Sequence, residues 1–257
     1  MLLALAALAF LVLPLFVIVP LSFNAGSFFS FPMPGWSLRW YQEVWQSELW
    51  WRALQNSLVV GALATALATV LGTLAAIGFH LARFPGQRLL MALILSPMIV
   101  PVVIVAAGVY FFYLELGLVN SLLGLALAHA TLGAPFVVVT VSATLAGFDR
   151  NLIRAAQSLG AGPLVVLRRI LIPLLAPGIV SGALFAFVTS FDELVIALFL
   201  TGPAQRTLPR QMFDGIRENL SPSILAVATL LILLAALLLV CAELLRRRNL
   251  RLRGLRP

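Results

Sequence analysis

Long uncharged runs joined by short polar links restrict this chain more than any other feature. Residues 1–38 carry no charge, and uncharged runs recur at 53–79, 89–114, 116–148, 170–191 and 219–242. Crossing the hydrocarbon core of a bilayer as a helix takes about 20 apolar residues. Each run is long enough, and none alternates with period two, which excludes a transmembrane barrel. The expected fold is an all-α membrane protein, a single transmembrane domain over 1–257 with six spanning helices. The first, Leu2 to Leu21, lacks the basic flank of a signal peptide and exceeds the usual length of one, so it is expected to be retained. With 62% hydrophobic and 10% charged residues, the chain has no need of a soluble core to explain its composition.

The charges then orient the chain. All 17 basic residues are arginine. The links after the second and fourth runs and the C-terminal tail hold 12 of them: Arg83, Arg88, Arg150, Arg154, Arg168, Arg169 and six between 246 and 256. The remaining links hold 5: Arg39, Arg52, Arg206, Arg210 and Arg217. Basic residues collect on the cytoplasmic side, so both termini are expected there, in a bacterial inner membrane. The net charge of +8 is read as topology and not as a nucleic-acid surface. With no lysine, the chain cannot carry the Gly-Lys-Ser/Thr of a phosphate-binding loop, so any ATP it uses is hydrolysed by another subunit. Cys241 is the single cysteine and says nothing about compartment. No nucleophile–base pairing or metal-ligand cluster stands out, so an enzyme is not expected.

The longest basic interruption is 149–173, DRNLIRAAQSLGAGPLVVLRRILIP. It reads as two short helices, the first ending at Gly160 in a left-handed cap and the second starting at Pro163. A bent knob at the cytoplasmic face results, with Ala155 and Ala156 small enough for another backbone to approach. An ordinary loop held by lipid headgroups is the alternative.

Other segments suggest local roles. All five tryptophans fall in 35–52, where Trp36 and Trp40 are expected on one helical face, making this a periplasmic interfacial segment rather than an aromatic ligand cage. Ser96-Pro97 and Pro101 break the hydrogen-bond ladder inside the third run, as a packing kink or as a lining of the substrate path. His129 lies inside the fourth run, expected neutral and hydrogen-bonded between helices, with no proton partner evident nearby. His80 is expected at the cytoplasmic interface. Asp192 and Glu193 are adjacent in the outer half of the fifth run. Neighbours on a helix point about 100° apart, so a solvated pathway beside both is one account. Neutralisation by a neighbouring subunit's arginine is the other.

The spacing Ala155-Ala156-x3-Gly160-x9-Ile170-x-Ile172-Pro173 resembles the EAA loop of ABC importer permeases, E-A-A-x3-G-x9-I-x-L-P. Arg154 stands where that family usually has Glu, and Ile172 where it has Leu. Similarity extends to Ser22-Phe23-Asn24, the segment from Asn120 to His129, Pro135 to Thr140, Ser190 to Glu193, Thr201-Gly202-Pro203 and Leu208-Pro209. These resemble the spermidine/putrescine branch, its second permease subunit in particular. The resemblance implies the MetI-like fold of a type I importer and a partner set of sister permease, ATPase dimer and periplasmic binding protein, with ATP and Mg bound by the ATPase. It implies that Arg154, Ala155, Ala156, Gly160, Ala161 and Pro173 couple to the ATPase. It places Asn24, His129, Phe191, Asp192 and Glu193 along the substrate pathway. Val100-Pro101-Val102 has no acid where many polyamine relatives carry one, which keeps an ω-amino acid open as the cargo. A pore or assembly scaffold needing no ATP is the reading from another class, and such a protein has no reason to present Ala-Ala-x3-Gly to the cytoplasm.

Overall fold

The computed structural model describes residues 2–28, 30, 32–218 and 221–252. Asn219, Arg253 and Arg256 lie outside them, as do the side chains of Cys241 and of Arg246, Arg247, Arg248 and Arg251. The regular elements among the described residues are all helices, with one isolated bridge between Asn24 and Trp36. They fall into two compact units: Met1–Trp51 with Gln211–Pro257, and Arg52–Arg210.

Three helices are long and apolar enough to span a membrane: Glu48–Leu81, Leu122–Ala146 and Pro163–Phe191. Gln87–Met98 with Val102–Leu116 would make a fourth, bent by 104° at its break. The stretches Leu5–Leu21 and Ser223–Leu237 are shorter apolar helices.

In the first unit, α1 (Leu2–Leu21) and α2 (Arg39–Gln46) both pack on α12 (Ser223–Leu252). Ser22 and Asn24, just after α1, meet α2. Trp40 Nε1 donates to the Asn24 carbonyl at 2.8 Å, and the Ser22 hydroxyl meets the Tyr41 hydroxyl at 2.6 Å. Trp36 and Trp40 do not share a helical face. Trp36 precedes α2, in the bridge to Asn24, and is exposed, whereas Trp40 is buried. An indole N–H with a backbone acceptor within reach can be buried without loss, and that hydrogen bond draws Trp40 inward. Trp45 and Trp51 remain outside, edge to face at 4.9 Å.

The second unit is built around α6 (Leu122–Ala146) and α9 (Ile172–Phe191). Small residues set their closeness. A Cβ on Gly178 would lie 2.2 Å from Thr144 Oγ1, and one on Gly182 would lie 2.8 Å from the Val137 Cα. Gly133 faces Ala186 in the same seam. Without a hydrophobic gain between helices in lipid, such small residues at spacing four let the backbones make van der Waals contact. One end of the pair buries Leu145, Leu171 and Leu175. The other buries Leu125 and Leu132 against α5 (Val102–Leu116) and α10 (Val195–Leu200).

Long-range bonds sort the links of this unit to its two ends. Arg150 donates to the His80 carbonyl, and Gln87 Nε2 to the Phe79 carbonyl at 2.7 Å. That end carries Arg83, Arg88, Arg150, Arg154, Arg168 and Arg169. At the other end Asn56 Nδ2 donates to the carbonyls of Ala204 and Arg206 at 3.0 and 2.9 Å, and the Asn120 N–H to Leu200 at 2.8 Å. That end carries Arg52, Arg206 and Arg210.

Candidate functional site

The link between α9 and α10 concentrates the polar chemistry of the second unit. α9 stops at Phe191, and Asp192, Glu193 and Leu194 lead into α10, which faces the core with Ile196, Ala197 and Leu200. Glu193 caps α10 with its side chain: Oε1 accepts the Ile196 N–H at 3.0 Å and Oε2 the Ala197 N–H at 3.2 Å. His129, on α6, sets Nε2 at 3.5 Å from Glu193 Oε2, while its Nδ1 meets the Ser190 hydroxyl at 2.9 Å. All three side chains are buried. At the far end of α10, Arg210 donates to the Ala197 carbonyl at 2.9 Å and to the carbonyl and hydroxyl of Thr201. An anion thus sits at the positive end of this short helix and a cation at its negative end, the sense that complements its dipole.

The two adjacent carboxylates, expected beside one solvated pathway or neutralised by a neighbouring subunit's arginine, separate. Asp192 is exposed, and Glu193 is withdrawn into the α6–α9–α10 packing. His129 bridges two helices as expected, through the Ser190 hydroxyl on Nδ1, and Glu193 lies near its other nitrogen; both arrive from more than 60 residues away in sequence. Phe191 is half-buried and stacks on Phe187 with centroids 5.6 Å apart. Asn24 belongs to the other unit and is buried, its Oδ1 accepting from Gly26 at 2.9 Å and its Nδ2 donating to the Phe28 carbonyl at 3.0 Å. Both ends of that amide serve the local turn. Arg210 was not singled out in the sequence, because backbone carbonyls among its acceptors leave no side-chain signature.

The 149–173 stretch folds as two short helices on either side of Gly160. α7 (Asn151–Ser158) starts where Asp149 accepts the Asn151 N–H at 2.9 Å. It ends at Ser158, and the turn after it passes through Gly160 at φ +81°, a conformation that a Cβ resists. The Ala161 N–H then closes on the Ala156 carbonyl at 3.0 Å. α8 (Pro163–Val166) follows, with its proline in the first turn. Ala156 and Ala161 pack onto the core, while Arg154, Ala155, Gly160 and Pro173 are exposed. Leu159, at the tip, is 89% exposed.

The fifth run starts earlier than Ile170. A π turn over Leu167–Leu171 joins α8 to α9, the Ile172 N–H reaching five residues back to Leu167, so one helix runs from Pro163 to Phe191. The wider turn lies just ahead of Pro173, a residue with no N–H to give. Arg168 and Arg169 therefore sit on that helix, and do not mark its outside end.

The third run breaks where its prolines stand. α4 (Gln87–Leu95) passes into a 3₁₀ turn over Ser96–Met98, and α5 restarts at Val102. At 104° this is a corner, well beyond a packing kink. Ser96 Oγ donates to the Leu93 carbonyl at 2.8 Å, meeting the acceptor that Pro97 cannot reach.

Residues 68–251 match the family described as binding-protein-dependent transport system inner membrane component. The chain belongs to this family. Among relatives of the permease is the spermidine/putrescine transport system permease protein PotC of Haemophilus influenzae, 32% identical over 94% of the permease and 93% of PotC. PotC of Escherichia coli K12 is 31% identical, over 94% and 91% of the two chains. The putrescine transport system permease protein PotI of the same strain is 36% identical over 87% of the permease and 82% of PotI. In structure, the permease is similar to a chain of a bacterial ABC transporter involved in the import of the acidic polysaccharide alginate. The TM-score is 0.71 at 16% identity, over 95% of the permease and 93% of that chain. The permease has the MetI-like ABC permease fold.

Proposed function

We propose that the permease is one of two membrane subunits of an ATP-driven importer for linear polyamines of the spermidine and putrescine class. The observation that carries this is the nearly full-length identity to PotC, supported by identity to PotI. An exposed carboxylate, Asp192, at the break between α9 and α10 supplies a counter-charge suited to an ammonium group. At an effective dielectric of about 20, an ion pair at about 4 Å is worth roughly 4 kcal/mol before desolvation is subtracted.

In this reading the 149–173 loop docks on a separate ATPase subunit, which binds ATP and Mg²⁺, and a sister permease supplies the other half of the path. A periplasmic binding protein delivers the substrate. The excess of arginine at the Gly160 end of the second unit supports a cytoplasmic position for that end, in a bacterial inner membrane. The six spans and the cytoplasmic termini belong to the same proposal.

The absence of an acid in Val100-Pro101-Val102 favours one competitor, the same machinery importing an ω-amino acid. Uptake of radiolabelled spermidine, putrescine and a straight-chain ω-amino acid into liposomes carrying the complete importer separates these. ATP-dependent uptake of the two polyamines is the expected result. Uptake of the ω-amino acid alone would move the assignment to that class, and uptake of either without ATP would point to a pore.

A further inference from the structure

Glu193 is a buried carboxylate, 8% exposed, whose oxygens accept the Ile196 and Ala197 N–H groups. Those bonds satisfy both oxygens but bring no full counter-charge. A buried charge ordinarily has an opposite charge beside it. Among the described residues its ion-pair partner is His129, whose Nε2 lies 3.5 Å from Oε2. The ring is 1% exposed, and Nε2 has no hydrogen-bond partner. At 3.5 Å the two groups stand just beyond the hydrogen-bond range of about 2.7–3.2 Å.

A carboxylate only accepts, a hydroxyl gives and accepts, and a neutral imidazole has one nitrogen of each kind. The Ser190 hydroxyl, 2.9 Å from Nδ1, can therefore meet that nitrogen in either state. Glu193 can attract Nε2 only as an N–H. With protons on both nitrogens the ring donates to Ser190 and to Glu193 at once, and it supplies the positive charge that the carboxylate lacks. Those two partners stand on either side of the α9–α10 break, Ser190 in the last turn of α9 and Glu193 ahead of α10. A charged ring thus ties both helix ends to α6.

We propose that His129 and Glu193 form a buried proton-binding site: a proton from water adds to the ring, is held against the Glu193 carboxylate, and locks the break that presents Asp192. A ring lone pair takes the proton, and nothing is oxidised or reduced. Histidine is the side chain whose charge changes between about pH 5 and 8. The other titratable and charged groups on the elements packed around the pair do not join it. α9 and α10 have none, Asp192 in the link between them is exposed, and Arg210 reaches Ala197 and Thr201 at the far end of α10. α5 carries Tyr110, Tyr113 and Glu115, α4 carries Arg88, and α3 (Glu48–Leu81) carries Glu48, Arg52 and His80 near its two ends. None of these is a hydrogen-bond or ion-pair partner of His129 or Glu193. The site stands on this geometry, and its effect on uptake rests on the polyamine reading above.

The test uses the complete importer in liposomes. His80→Gln leaves His129 as the single histidine of this chain. The permease is labelled with ¹⁵N-histidine, assembled with unlabelled partners, and its ring nitrogens are read by solid-state NMR between about pH 5 and 8. The expected result is a ring with protons on both nitrogens toward the acid end that gives one up toward the alkaline end. In Glu193→Gln the carboxylate charge is gone, so the doubly protonated fraction at about pH 6.5 should fall at least about threefold. A ring with one proton throughout overturns the proposal, and so does an equal fraction with and without the carboxylate. If Glu193→Gln fails to assemble, the ring beside Glu193 decides alone.

Uptake supplies the functional readout. With His129 in place the KM for spermidine is expected to rise at least about threefold from about pH 6 to about pH 8, as the lock on Asp192 is lost. In His129→Gln, whose amide holds no titrating proton, it should stay level. Parallel pH profiles of KM in the two overturn the lock. If His129→Gln fails to assemble, the NMR measurement decides alone. Wild-type uptake separates the two levels: no uptake of any amine removes the polyamine reading, while the protonation of the ring still decides the proton site.

Discussion

His129 Nε2 on α6 lies 3.5 Å from Oε2 of Glu193, at the start of α10, with both side chains buried. A carboxylate this far from water needs partners for both oxygens, and it has them in the Ile196 and Ala197 N–H groups, one on each oxygen. With Ser190 on its other nitrogen, the ring spans α6 and the end of α9. The cluster holds the chain break that presents Asp192.

Removing one partner leaves the other buried and less well satisfied, which typically costs about 1–3 kcal/mol for a polar group. Glu193→Ala and His129→Ala are each expected to lower the thermal stability of the purified complex. In the double variant the two losses should add to less than their sum, by at least about 0.5 kcal/mol, because neighbours couple. Strictly additive losses in a thermal-melt cycle would show that the two do not act as a pair.

Asp192 and Glu193 should therefore fail differently. Asp192→Asn keeps shape and removes an exposed charge, so uptake of spermidine is expected to fall about tenfold, a loss of about 1.4 kcal/mol, with melting temperature and stoichiometry unchanged. Glu193→Gln turns an amide N–H₂ toward one of the α10 N–H donors, so it should lower the melting temperature first. Equal uptake by Asp192→Asn and wild type would remove Asp192 from the path.

The seam of α6 and α9 makes a sharper structural prediction. Gly178→Val and Gly182→Val would push a side chain against Thr144 and Val137, and overpacking of this kind costs about 1–3 kcal/mol or more. Both should reduce the yield of folded permease in membranes. Gly108→Ala on α5, with nothing within 4 Å of the added Cβ, should not. Equal yields for all three, read by detergent extraction and gel filtration, would show that the seam is looser than described.

Where the sequence was readable, the determinants were local. Gly160 and Pro163 announce their own turn because left-handed φ and a missing N–H are properties of single residues. Pro97 and Pro101 announced a break for the same reason. Its 104° angle was not legible, since that depends on how two half-helices dock elsewhere. The start of the fifth helix was misplaced because Arg168 and Arg169 resemble the end of a membrane helix, although long arginines can follow a helix out to the interface. His129 and Glu193 stand 64 positions apart on the chain, and no periodicity links them. Trp40 was assigned to a shared aromatic face, whereas its burial follows from one backbone acceptor, the Asn24 carbonyl.

The final prediction concerns Gly160. Its φ of +81° lies where a left-handed residue with a Cβ pays about 1–2 kcal/mol, and a β-branched one is a genuine outlier. No neighbour lies within 4 Å of the position, so strain and not collision is what a valine would bring. The strain is expected to fall on the Ala156–Ala161 closure that turns α7 back toward α8. Gly160→Val should then insert in the membrane normally, yet transport-coupled ATP hydrolysis by the complete importer should drop at least about fivefold, roughly 1 kcal/mol. Gly160→Asn is the control, because asparagine tolerates the left-handed region better than other side chains, and it should retain most of the coupling. If Gly160→Val hydrolyses ATP in step with transport as the wild type does, the turn at Gly160 has no part in coupling.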